Sequence, residues 1–266
     1  MLDIDLAKQL AEHGVTLPPT QAELPYDDGV PMETQRHKLQ MDVLLDTLQP
    51  WLDARSDGYI GGNMFVYYSM TQVRNRDFKG PDFFAVLGVP KGERLSWVIW
   101  EEDKAPDVVI ELLSDSTATQ DKNEKKLIYQ DRMRVPEYFW FDPFNPNDWA
   151  GFSLQQGVYQ PIVPNAQNQL VSQSLGLALV RWQGNHKGID TIWLRWETPN
   201  GELLPTAQEI AKQEQRQVEQ ERQRAEQAES RLRQVVLNLL QTGMTVAQVA
   251  QVTGLTDSQI RGWAEQ

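Results

Sequence analysis

The chain contains no cysteine, which excludes disulfides and thiolate-bound metals, and only three histidines, His13, His37 and His186, too few for a His-rich zinc site. Any metal must therefore be held by oxygen. No segment approaches the ~18 consecutive apolar residues of a membrane span, and the first residues, MLDIDLAKQL, carry acids where a secretory signal needs bases. Both absences predict a cytoplasmic protein. Basic residues are also in deficit: 25 Lys and Arg face 37 Asp and Glu, for a formal net charge of −12. That balance is awkward for a nucleic-acid binder, because Lys and Arg neutralising phosphates supply most non-specific affinity. It is tolerable if the bases gather on one face, or if the acids gather around a metal ion.

What is present suits one domain with an appendage: 266 residues, 40% hydrophobic and 9% aromatic. Residues 1–30 hold a short helical pattern over 4–13, then Pro18, Pro19, Pro25 and the turn signal Asp27-Asp28-Gly29, and read as a lead-in. Over 31–52 the residues Leu39, Val43, Leu44, Leu48 and Leu52 recur at three- and four-residue steps, which predicts a helix with one buried face. Branched and aromatic runs bounded by Gly, Pro and Asp predict strands over 59–69, 83–89, 96–101 and 108–113. A helix over 119–133 and a strand over 137–141 follow. Residues 149–196 read as short strands extending the sheet, with turns at Gln156-Gly157 and Gly184-Asn185. The predicted fold class is α/β, a mixed central sheet flanked by helices, with β insertions, over residues 31–205.

The composition then changes to Gln, Glu, Arg and Ala, which predicts a long charged helix over 206–242. Ala207, Ala211, Glu214, Val218, Glu221, Ala225, Ala228, Leu232, Val235 and Leu239 keep alternating 4-3 spacing, a heptad seam. The seam predicts a homodimer or higher homo-oligomer, weakened by Glu and Ala where Leu would pack best; the alternative is a single exposed helix laced by charge pairs. In 243–266, Ala250, Gly254 and Ile260 fall at helix-turn-helix spacing, with Gly254 at the turn and Leu255 plugging the core. Arg261 is the only base of its second helix, against Asp257 and Glu265, which favours a packing or oligomerisation motif over DNA reading.

The chemistry concentrates in the strand 108–113. Alternation puts Asp107, Val109, Glu111 and Leu113 on one face and Val108, Ile110 and Leu112 on the other, so Glu111 sits in an otherwise apolar strand. A buried unpaired charge costs several kcal/mol, so Glu111 needs a cation, a donor or a water-filled cleft. A structural ion pair with Arg132 or Arg134 is the plain alternative. Asp82 follows Pro81 at the mouth of the strand 83–89, and the helix 119–133 offers Asp121, Lys122, Lys125, Lys126 and Tyr129, with one lysine and Tyr129 able to share a face.

The stretches DDGVPMETQRH, RNRDFKGPDFFAVLG, APDVVIELLSDST and KNEKKLIYQDRMRVPEYFWFDP together resemble the Uma2 family, of the PD-(D/E)xK restriction endonuclease-like superfamily, over about Asp28 to Pro143. The likeness is to a cyanobacterial branch with a Glu/Arg-rich C-terminal helix. The resemblance implies a Mg2+- or Mn2+-dependent endonuclease acting on nucleic acid, most readily DNA. It implies that Asp82 and Glu111 hold the ion through their carboxylates and Leu112 through its carbonyl. The superfamily's usual lysine position is Leu113 here, and the resemblance implies that Lys125 supplies the amine from the following helix, with Lys122 and Lys126 as rivals. Glu33 is implied as the acid of the first helix, with His37 as a helper or a structural residue, while Ser114 reads as a strand-to-turn cap and Asp142 as a strand end. A non-catalytic nuclease-like scaffold that assembles through its C-terminal helix is the competing expectation.

Overall fold

The computed structural model describes residues 13, 18–26, 34–69 and 77–264. Glu33, the turn signal at 27–29 and all of the helical pattern 4–13 but His13 lie outside the described residues. The chain divides into two compact units, residues 1–207 and 208–266.

In the first unit, helix α1 (Gln35–Asp53) begins where Thr34 caps it, its side chain accepting from the amides of Arg36 and His37. All five apolar residues of its predicted face are buried, joined by His37, Gln40 and Thr47. A six-stranded sheet follows in the order β1 (Tyr59–Gly61), β4 (Phe83–Val86), β6 (Val108–Leu112), β7 (Glu137–Phe141), β8 (Trp149–Gln155) and β9 (Val158–Ile162). Every pairing is antiparallel except β6 with β7. Parallel neighbours need a crossover, and helix α3, the helical stretch 118–133, supplies it.

The sheet is buried on both faces. Phe83, Ala85, Val108, Ile110, Leu112, Phe139 and Phe141 meet Leu44 and Leu48 of α1 on one side. Phe84, Val86, Val109 and Tyr138 meet Tyr129 and Met133 of α3 on the other. The alternation expected along this strand is therefore the one found for Val108, Val109, Ile110 and Leu112. A second sheet, β10 (Leu170–Ser172), β11 (Leu177–His186) and β12 (Ile189–Glu197), is antiparallel and joins the α1 side of the core. There Gln40 of α1 pairs both polar ends of its amide with the backbone of Leu194, each at 2.9 Å.

Several elements depart from the sequence expectation. The strand expected over 59–69 is broken: β1 ends at Gly61, Asn63 turns with φ 48°, and β2 (Val66–Tyr67) joins a separate sheet with β3 (Phe78–Lys79) and β5 (Trp97–Val98). A Cβ on Gly61 would lie 2.5 Å from the Phe84 ring, so only glycine allows this close approach. The strand expected over 96–101 is the two-residue β5, after which the chain coils into helix α2 (Ile99–Glu102). The lead-in packs on this small sheet, with Leu24 buried against Phe65, Tyr67 and Val98 and the Tyr67 hydroxyl donating to the carbonyl of Pro25 at 2.5 Å. The hairpin turn at Gln156-Gly157 is where it was expected, with φ 51° and 86°. The one expected at Gly184-Asn185 is displaced to Lys187-Gly188, φ 47° and 85°, because cross-strand pairing continues through Asn185↔Asp190 and His186↔Ile189. Residues 149–162 extend the central sheet as expected, whereas 170–197 form a sheet of their own.

The second unit consists of helix α4 (Ala207–Gln241), helix α5 (Val246–Thr253) and helix α6 (Asp257–Ala264). Val236, Val249 and Ile260 are fully buried together, with Leu239, Leu240, Leu255 and Trp263 packed around them. Gly254 caps α5 with φ 74°, as the helix-turn-helix spacing required. Seam residues from Ala207 to Ala228 are exposed, and near the end of α4 the buried position is Val236 rather than its seam neighbour Val235, because α5 and α6 pack one residue round the helix. Among the described residues no helix is long and apolar enough to cross a membrane.

Candidate active site

The register that pairs Phe83 with Ile110 places Asp82, one residue before β4, opposite Glu111 near the end of β6. Cross-strand neighbours project from the same face, so both carboxylates point toward α3. The amide of Leu112 donates to Asp82 Oδ2 at 2.7 Å, which ties the carboxylate to the strand beside it.

Helix α3 completes the group. After an opening turn, Ala118–Gln120, it is wound as π-helix over Asp121–Lys125 and again over Ile128–Met133. In a regular α-helix, residues four apart drift round the axis by about 40° per step. The wider turns take up that drift and bring Asp121, Lys125 and Tyr129 into one column, a use of π-turns common at functional sites. The Tyr129 hydroxyl donates to Glu111 Oε1 at 2.7 Å and the Lys125 ammonium to Glu111 Oε2 at 3.1 Å. Lys125 also lies 2.7 Å from Asp121 Oδ1. Side chains of Glu111 and Asp121 are 1% exposed against 17% for Lys125, so solvent reaches the group past the lysine and the half-buried Asp82.

Three carboxylates therefore share one ammonium. Burial, and next the charge of Glu111, push the Asp82 carboxyl well above the usual carboxylate range. Burial also raises Glu111; Lys125 opposes the shift and Asp121 adds to it. Burial alone would lower the Lys125 ammonium, but Glu111 and Asp121 outweigh it and hold the group above its ordinary value. Burial, with Glu111 beside it, drives the Tyr129 phenol well upward. The cluster lacks positive charge, and its donors are hard oxygens, which suits a hard divalent cation. Among the described residues no three acidic or histidine side chains form a closed metal cage.

The rival lysines point elsewhere. Lys122 pairs with Asp148 at 2.5 Å, and Lys126 sits 3.4 Å above the centroid of the Phe152 ring. His37 is buried, with Nε2 2.9 Å from the carbonyl of Leu113 and Nδ1 2.9 Å from Thr34 Oγ1, so it anchors the end of β6 to the start of α1. Glu33, one residue before the capping Thr34, falls outside the described residues. Leu113 is fully buried, and its amide donates to Phe141 at 2.8 Å. Ser114 caps its turn through Thr117, and Asp142 Oδ1 accepts from the amides of Phe144 and Asn145. The second Pro-Asp, at 106–107, is structural, since Asp107 Oδ2 accepts from the Leu87 amide at 2.7 Å and pairs with Lys104 at 3.0 Å. Asp121 is the member that sequence reasoning left among the general helix charges; its i,i+4 spacing to Lys125 was the available signal.

A crystal structure described as a putative nuclease belonging to DUF820 from Anabaena variabilis is 16% identical, covering 60% of this chain and 86% of that one with a TM-score of 0.41. No curated protein matches the chain. The Uma2 family, described as "Putative restriction endonuclease", matches residues 12–184, well beyond the stretch 28–143 on which the sequence resemblance rested. With close to two thirds of its length matched, this chain belongs to the Uma2 family.

Proposed function

We propose that the cluster around Glu111 is the active site of a divalent-metal-dependent endonuclease that hydrolyses phosphodiester bonds of DNA. The observation that carries this reading is the surplus of buried carboxylates, Asp82, Glu111 and Asp121, over the single ammonium of Lys125. A folded protein rarely keeps such a surplus without a cation to offset it.

Asp82 and Glu111 would hold the ion from neighbouring strands. In a strand the amide and carbonyl of one residue point to the same side. The Leu112 amide points at Asp82, which directs the Leu112 carbonyl toward the same two carboxylates as a third oxygen ligand. A bound Mg2+ or Mn2+ would lower the pKa of a coordinated water and neutralise charge on the scissile phosphate. Lys125, held between Glu111 and Asp121, stays an ammonium, so its part is to orient the phosphate and meet the charge that develops on it rather than to take a proton. Asp121 and Tyr129 keep Lys125 and Glu111 in place.

One observation favours a second reading. Both oxygens of Glu111 already accept from Lys125 and Tyr129, so the group can close on itself in a scaffold that binds no metal. Incubating supercoiled plasmid with the protein and Mg2+ or Mn2+ separates the two. Nicking and linearisation by wild type, lost in Glu111→Gln, is the expected result; no cleavage of DNA or RNA under any divalent metal would leave the scaffold.

A further inference from the structure

The sheet that aligns Asp82 with Glu111 continues the row. In the parallel pairing of β6 with β7, Glu111 lies opposite Trp140, so the indole is the next side chain on the face that carries the carboxylates. Trp140 is half-buried, and beside it on β8 lies Phe152, which pairs with Tyr138 one step back along β7. The two rings, with centroids 4.9 Å apart, form an aromatic shelf along the flank of α3.

Two lysines of α3 stand over this shelf. Lys122 lies 5.6 Å from the Trp140 centroid but is neutralised by Asp148, which also accepts from the Trp140 indole N–H at 3.3 Å. Lys126 lies 3.4 Å from the Phe152 centroid and 5.7 Å from that of Trp140. Among the described residues it has no carboxylate partner, whereas Lys79 and Lys122 around the same helix each have one and Lys125 has two. The ring faces attract the ammonium without cancelling its charge. Burial lowers the Lys126 ammonium, and no neighbouring charge offsets that. A part-buried, unneutralised cation one to two strands along from Glu111, about 5–10 Å across the sheet, is placed for an anion that arrives with the substrate.

Resting on the nuclease reading above, we infer that Lys126, seated on the Trp140–Phe152 shelf, is a phosphate-binding subsite that grips the nucleic-acid backbone beside the scissile bond. In a chain of net charge −12 it supplies local attraction where the acidic centre alone would repel the strand. Both ring faces of the shelf are taken up by packing and by the lysines, so the subsite holds backbone rather than stacked bases and does not discriminate sequence.

The test is fluorescence anisotropy of a labelled duplex oligonucleotide bound by the full chain, with Ca2+ in place of Mg2+ and the probe's length checked on a gel. Lys126→Gln keeps a stem over Phe152 and removes the charge. It should weaken binding about threefold near physiological salt and flatten the slope of log K against log salt by about 0.9, the loss of one phosphate contact. Lys126→Arg should restore both. Lys38→Gln removes an equal charge from a residue paired with Asp42 on α1 and should leave the slope unchanged. If Lys126→Gln binds with the wild-type slope, or Lys38→Gln shows the same loss, the subsite is refuted while the nuclease reading stands. Wild type that binds no nucleic acid at any salt or metal concentration would overturn both.

Discussion

Two glutamates on neighbouring strands, Glu111 on β6 and Glu137 on β7, are almost equally buried, yet they are solvated in opposite ways. Glu137, on the face away from α3, accepts from the Ser172 hydroxyl and from the amides of Gln173 at 2.7 Å and Ser174 at 3.2 Å. Its donors are neutral and fixed in a turn, so it joins the central sheet to the second sheet and asks for nothing more. Glu111 is met by an ammonium and a phenol; it shares the ammonium with Asp121, and Asp82 stands opposite it on the next strand. Burial raises both acids, but only at Glu111 do like charges add to the rise. A buried carboxylate is thus no mark of a site by itself; the sign and number of its neighbours separate a structural clamp from a candidate site.

The strongest test of that contrast is activity. Lys125→Ala should lower Mn2+-dependent plasmid cleavage by about two orders of magnitude or more, the expected loss for a charge partner of the transition state. Glu137→Ala, assayed where it is still folded, should cleave at close to the wild-type rate. A Lys125→Ala protein as fast as wild type would show that the ammonium serves packing only.

Stability should reverse the order. Glu137→Ala orphans a hydroxyl and two amides in the core and should destabilise by about 3 kcal/mol, or roughly 6–12 °C in a domain of this size. Glu111→Gln in metal-free protein should melt at or above the wild-type temperature, because it removes a repelled charge. Calorimetry that found the two equally destabilised would erase the distinction between clamp and centre.

A smaller effect follows from pH. Asp82, Glu111 and Glu137 all have folded-state pKa values raised above those of the unfolded chain. Their contribution is therefore fully present below the ordinary carboxylate range and is lost as pH rises through the raised values. Metal-free protein should accordingly lose melting temperature as pH climbs above the ordinary carboxylate range, less steeply in Glu111→Gln. Saturating Mg2+ should remove the part due to Asp82 and Glu111 by mass action, about 2.7 kcal/mol at a hundredfold excess over Kd, and leave the part due to Glu137. An equal metal-induced shift in wild type and Glu111→Gln would place the ion elsewhere.

The smallest expected change concerns the second unit. A chain ending at Pro205 should melt within about 2 °C of the full chain, because the core clusters of the first unit are complete without α4. Light scattering should give it fewer subunits per particle if the exposed seam of α4 pairs with a second copy. Identical subunit numbers would leave the seam without an assembly role.

Much of this was written in the order of residues. The spacing of Leu39, Val43, Leu44, Leu48 and Leu52 determined α1 and its buried face, and the alternation of 107–113 determined β6 and the odd position of Glu111, because side-chain periodicity is a local property of the backbone. The resemblance pointed to Asp82, Glu111 and Lys125 together. Tertiary structure alone decided the rest. The breaks at Gly61 and Asn63 depend on the Phe84 ring across the sheet, and the shift of the hairpin to Lys187-Gly188 depends on register with β12. Nor does spacing alone separate Lys125 from Lys122 and Lys126, since α-helical steps bring any of them near Tyr129; the π-turns of α3 and the partners Asp148 and Phe152 decide that Lys125 is the one that meets Glu111. Local pattern sets which face a residue takes, but which charges meet across strands is a matter of register and crossover, and those are properties of the whole sheet.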